Sequence, residues 1–219
     1  MMTTQATIKL LAAAGPPINP PQEPDPSLGK FGRLGFELAE ILGERNGFYA
    51  YESALLVRPF RRGGAPLGLP EWNTPALWKG DYGEDLSDTL FFAEDTFGGQ
   101  FCIRGGSVGS FNPEEGVFTA VAASLGEWAS YITSECNFAT GYPLAHSWQM
   151  ENRPLVPGER LLPKTPFVLG GKFELQNLYA CRDVEGMRFR ALIANQIRNL
   201  PDGSQVVLKI IEGNGPRSR

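Results

Sequence analysis

Histidine is nearly absent from this chain: His146 stands alone among 219 residues. One imidazole and three scattered cysteines, Cys102, Cys136 and Cys181, give no ligand cluster at the spacing a metal site requires. The odd cysteine count also lacks the spacing of a disulfide framework. The thiols therefore read as reduced, with Cys102 a small hydrophobe in an apolar strand. No apolar run reaches the length of a membrane span, and the stretch from Leu10 to Ala14 is too short, and lacks the basic start, for a signal segment. Neither G-x-x-x-x-G-K-[ST] nor a helix-opening G-x-G-x-x-G occurs, so the glycines are turn-makers rather than phosphate cradles. These absences lead to the expectation of a soluble, cytoplasmic protein with no cofactor, no metal and no membrane partner.

Basic residues are scarce in one region only. Residues 71–151 hold two, Lys79 and Arg104, against twelve acidic ones. Residues 1–70 are near neutral, and residues 152–219 carry eleven basic and six acidic side chains. The overall charge of −4 hides this asymmetry. An acidic middle repels nucleic acid and attracts basic proteins. The arginines of the last third form no continuous stripe and no aromatic residues interleave them, so nucleic acid is not an expected partner.

What the chain does have is a hairpin pattern from Phe91 to Ile103: an apolar strand, the acidic shoulder Glu94-Asp95, a Gly98-Gly99 turn and a second apolar strand. Ahead of it lie a proline-rich stretch at 15–27, read as an arm; a helix from Phe36 to Glu44 with Phe36 on its apolar face; strand material from Phe48 to Phe60; a short helix from Trp72 to Trp78; and an exposed acidic loop from Asp81 to Asp88. After it come strands at Ser107–Phe111 and Val117–Val121, separated by the turn Asn112–Gly116. Ser124 and Glu127 form a capping box that opens a helix reaching about Glu135. The last third reads as a weak helix at Tyr142–Glu151, a loop with four prolines at 154–166, a hairpin through Gly170-Gly171, a helix capped by Asp183 that carries Met187, Ala191, Ala194 and Ile197 and stops at Leu200–Gly203, and a final strand from Val206 to Ile211. The domain reading is an arm at 1–27, a core at 28–140 and an extension at 141–219 packed on the same domain.

Several patterns invite chemistry and are better explained otherwise. Gly105 to Gly109 matches G-x-S-x-G around Ser107, but Asn112-Pro113 follows where a nucleophile elbow needs a helix. Asp81, Glu84, Asp85 and Asp88 do not match the ligand ladder of a calcium loop. Glu94 and Asp95 are neighbours, so on a strand they point to opposite faces rather than across a substrate.

The succession Arg45-Asn46-Gly47, Leu90 to Asp95, Gly98 to Ile103, Phe111 to Gly116 and a closing helix from Ser124 through Trp128 resembles the SUKH superfamily over about half the chain. The resemblance implies an α+β fold: a twisted, mainly antiparallel sheet flanked by helices, followed here by a hairpin, helix and strand extension. It also implies an immunity protein that binds and neutralises an antibacterial toxin, with a regulatory interaction scaffold as the alternative and a serine hydrolase using Ser107 as the remote one. The expected partner is a basic toxin such as a nuclease. The expected contact surface is an acidic rim of Asp81, Glu84, Asp85, Asp88, Glu94, Asp95, Glu114 and Glu115, with Trp78 and Tyr82 as aromatic anchors.

Overall fold

The computed structural model describes residues 4–22, 26–61, 63–201 and 203–206. The chain is α+β. Six strands run in sequence order as an antiparallel meander: β1 (Phe48–Ala50), β2 (Leu55–Val57), β3 (Leu90–Asp95), β4 (Gln100–Arg104), β5 (Ser107–Asn112) and β6 (Val117–Ala122). Strand β3 is buried through its first five residues rather than alternately, because both faces of the sheet are covered. On one face Phe92, Phe101 and Ile103 meet the helices α1 (Gln5–Ala13), α2 (Gly32–Glu44) and α4 (Leu125–Ser134) through Leu10, Leu38, Ile41 and Trp128. On the other, Phe91, Cys102 and Phe111 meet Trp72, Trp78 and Tyr82 from the 69–82 connection, together with Met187, Ala191 and Ala194 of α7 (Asp183–Ile197). The rings in this second core pack edge to face: Trp78 lies 4.9 Å from Phe91, and Tyr82 lies 5.1 Å from Phe111.

The last third supplies, through α7, part of the cover of the second face. Strand β7 (Glu159–Pro163) pairs antiparallel with β8 (Leu178–Arg182), and the helices α5 (Cys136–Thr140) and α6 (Tyr142–Glu151) lead into them. The hairpin expected through Gly170-Gly171 is therefore corrected. Phe167–Leu169 is a 3-10 turn, and β8 finds its partner in the segment read as a proline loop. Pro163 closes β7 and Pro166 precedes the 3-10 turn, so the prolines sit where no ladder donor is lost.

Four further expectations change. The segment 1–27 read as an arm contributes to the core: α1 opens on Thr4, whose hydroxyl accepts from the Thr7 amide at 3.2 Å, and Leu10 is wholly buried. Helix α2 buries Leu34, Leu38, Ile41 and Leu42 and leaves Phe36 61% exposed. The strand expected over Phe48–Phe60 is a hairpin, its turn made by Tyr51, Glu52 and Ser53, all at positive φ. The helix expected over Trp72–Trp78 ends at Trp72 as α3 (Leu69–Trp72), and a 3-10 turn follows at Lys79–Tyr82. The capping box forms with a shift. Ser124 Oγ accepts from Glu127 N at 3.0 Å, but Glu127 reaches Ala123 N, while Leu125 N donates to Glu37 of α2. The final strand predicted over Val206–Ile211 lies, apart from Val206, outside the described residues.

Candidate functional site

The acidic shoulder of the β3–β4 hairpin splits into two environments, as its alternation on a strand requires. Glu94 points inward and is fully buried. Its Oε2 accepts from Arg58 Nη2 at 2.8 Å and from Gln100 Nε2 at 2.9 Å, and its Oε1 accepts from Arg160 Nε at 2.8 Å. Arg58 Nη2 also donates to Asp183 Oδ2 at 3.1 Å, and the guanidinium lies 3.3 Å from the Trp72 ring centre. Trp72 Nε1 donates to Gln100 Oε1 at 2.9 Å. Burial opposes the charge on Glu94, but the two arginines and Gln100 outweigh it and hold the carboxyl below its ordinary range. For Asp183 burial wins and pushes its pKa up despite Arg58. Two arginines and two carboxylates thus join the sheet, β7 and the first turn of α7.

Asp95 faces the other way. Its Oδ1 accepts from the amides of Phe97 and Gly99, each at 2.8 Å, which ties the hairpin turn together. Among the described residues no donor reaches Oδ2. Gly98 sits at φ 76°, and Arg190 of α7 approaches so closely that a side chain there would collide with its guanidinium. Arg190 itself is bound to neutral acceptors: the Phe97 carbonyl, the Gly186 carbonyl at 3.1 Å and Met187 Sδ at 3.4 Å.

Asp95, Phe97, Ser110 and Phe173 line both lobes of a groove between the sheet and the last third. One lobe, about 380 Å³, adds Glu114, Glu115 and Arg190. The other, about 560 Å³, adds Tyr131, Phe138 and Leu144, and Asp95 is its single charged residue. Phe167 and Phe173 stack at 3.8 Å between ring centres, and Phe97 meets both edge on. Glu114 holds this aromatic flap to the sheet, with its Oε2 accepting from Val168 N at 2.8 Å. Phe138 is 84% exposed, an unusual placement for so large an apolar side chain.

Burial raises the Asp95 pKa to about 7 from the ordinary 3.8, outweighing the two amides and the positive charges of Arg190 and Arg160. Burial likewise raises Glu114. A raised folded-state pKa means that between about pH 4 and pH 7 the folded protein holds a proton the unfolded chain has released. The Asp95 contribution to stability therefore falls as pH rises through that window and is level above it. Asparagine keeps the amide acceptor and removes the titration. Asp95→Asn is expected to gain stability over the wild type as pH rises from about 5 to 8, checked by thermal unfolding midpoints across that range. A constant difference would show that Asp95 is ionised throughout.

The expected acidic rim is divided between surface and interior. Asp85, Asp88, Asp81 and Glu115 are exposed and Glu84 is half-buried, but Glu94 and Glu114 are inside. Asp81 lies 3.6 Å from Arg188 and Asp88 lies 3.7 Å from Arg104, so part of the rim is paired within the fold. Asp85 accepts from Ser87 N at 2.8 Å. Trp78 and Tyr82 are wholly buried core residues and cannot anchor a partner; Tyr82 Oη donates to the Pro113 and Met187 carbonyls. Ser107 opens β5 after a Gly105-Gly106 turn at φ 56° and 78°, a β-hairpin rather than a strand-to-helix elbow. His146 Nδ1 lies 2.7 Å from Glu52 Oε2, and Tyr142 Oη donates to Glu52 Oε1 at 3.2 Å, so both grip the left-handed β1–β2 turn. The sequence pattern does not mark Phe97, Phe138 or Phe173 as site residues, and it offers Arg190 only as one of the scattered basic residues of the last third. They lie on four separate segments of the chain, and only the fold brings them together.

No family model matches the chain, and no curated protein matches it. Among solved structures, the crystal structure of Atu4351 from Agrobacterium tumefaciens is similar, with a TM-score of 0.54 at 13% identity over 83% of this chain and 86% of that one. At that identity the likeness is one of fold. Among the described residues no helix is long and apolar enough to cross a membrane.

Proposed function

We propose that this protein is a cytoplasmic immunity protein of the SUKH type, which binds a cognate antibacterial toxin and covers its active site or its substrate surface. The observation that carries the reading is the groove: a concave surface walled by exposed phenylalanines, with an acidic floor and an acidic edge at Glu115. Large apolar rings beside charge are what a desolvated protein contact uses. A basic toxin, a nuclease in particular, complements the carboxylates, and the exposed Asp85 and Glu115 add steering at longer range. The binding surface in this reading is the groove and its edge, with the Asp81–Asp88 loop as flank.

The test is co-expression with the product of the neighbouring toxin gene. Cells carrying both are expected to grow, cells carrying the toxin alone to die, and the two proteins to co-purify. Survival that does not depend on this protein, with no toxin captured, would sink the reading. Capture of a housekeeping protein in place of a toxin would favour a regulatory scaffold using the same groove.

A further inference from the structure

The larger lobe of the groove is an unusual environment for a carboxylate. Asp95 is the one charged residue of its lining, which also holds five rings: Phe97, Phe101, Tyr131, Phe138 and Phe173. Asp95 Oδ1 is occupied by two amides, whereas Oδ2 has no donor among the described residues. Arg190, the cation whose charge acts most on Asp95, donates to two carbonyls and a sulfur, and none of these bonds goes to Asp95. The lining of both lobes together holds three carboxylates against that one guanidinium. A charge-bearing oxygen in an aromatic slot fits a cation carried on an apolar stem. The rings take the stem and the face of the cation, and the carboxylate takes its hydrogen-bond donors.

The geometry points to the larger lobe as a pocket for one basic side chain, arginine or lysine, projected by a protein partner. This rests on the reading of the groove as a protein-docking surface and names what enters it. The stem lies between Phe138 and Phe173, and the cation pairs with Asp95 Oδ2. Arginine is the better fit, because its planar guanidinium stacks on rings while donating to a carboxylate.

The site is testable without the partner. The probes are the capped tripeptides Gly-Arg-Gly, Gly-Lys-Gly and Gly-Gln-Gly, titrated into the full chain and followed by amide chemical shifts. Saturable shifts at Phe97, Gly99 and Phe173 are expected for the arginine and lysine peptides, and none for glutamine. Asp95→Asn is expected to weaken the arginine peptide about tenfold. Phe173→Ser, at a side chain 62% exposed, is expected to weaken it too without unfolding the protein. Binding is also expected to weaken near pH 5.5, where Asp95 holds its proton, since its pKa stands at about 7. Equal shifts from the glutamine peptide, or unchanged affinity in a folded Asp95→Asn, would overturn the pocket. The two readings separate cleanly. A toxin bound equally well by Asp95→Asn removes the pocket and leaves the immunity role. Peptide binding with no captured toxin does the reverse.

Discussion

Glu94→Ala is expected to cost about 3–5 kcal/mol of folding stability, the scale of breaking a buried ion pair from one side. The reason is geometric. Glu94 lies between Arg58 and Arg160, which are both fully buried, and it accepts from both. Alanine leaves Arg160 with the backbone carbonyls of Ser53 and Glu159 and the Tyr49 ring, and leaves Arg58 with the Leu67 carbonyl, the Trp72 ring and one carboxylate whose own pKa is raised by burial. A drop in the urea midpoint at unchanged slope is the direct readout. Glu94→Gln preserves shape and one acceptor and is expected to cost less. A loss below about 1 kcal/mol for Glu94→Ala would mean that the arginines find other partners. The network also states what the last third is for. Arg160 comes from β7 and Asp183 from α7, so their pairing with the sheet fixes the groove between the two halves.

Trp78→Ala is expected to be comparably severe, about 3–5 kcal/mol, through cavity formation in a core that the sheet and α7 share. The ring is wholly buried and contacts Trp72, Tyr82 and Phe91 at 5.3, 5.8 and 4.9 Å. The outcome matters because a surface anchor and a core residue respond differently. An anchor would lose partner affinity with the melting temperature intact. A core residue loses stability first, and a folded remnant at low temperature keeps its affinity. Thermal melts beside binding assays on the same preparation decide between them.

The hairpin at Phe91–Ile103 shows how far the sequence could be read. Its strands follow from two apolar runs flanking a glycine turn, and the opposite facing of Glu94 and Asp95 from their being neighbours on a strand. The helix after Ser124 and the meander through Asn112–Gly116 are legible too, because these are local signals. The function of each carboxylate was not legible. Glu94 is paired inside the fold by Arg160, 66 positions away in sequence, and Asp95 faces a groove whose other wall includes Phe173, 78 positions away. The acidic middle looked like open surface because the basic third that answers it lies far along the chain: Arg160 meets Glu94, and Arg188 meets Asp81. Trp78 and Tyr82 looked like anchors because they flank a polar loop. Yet α7, which buries them, has a weak apolar stripe interrupted by Arg188 and Arg190. The left-handed run at Tyr51–Ser53 had no glycine to announce it; Tyr142, His146 and Gln149 on α6 hold it by way of Glu52.

The proposed immunity role places the partner in the groove beside Asp95. Amide hydrogen exchange of the protein, alone and in complex with its captured toxin, tests it most directly. Slowed exchange at 95–99, around Phe138 and across 167–173 is the expected footprint. Protection confined to the Asp81–Asp88 loop or to the N-terminal helix, with the groove exchanging as fast as in the free protein, would contradict it.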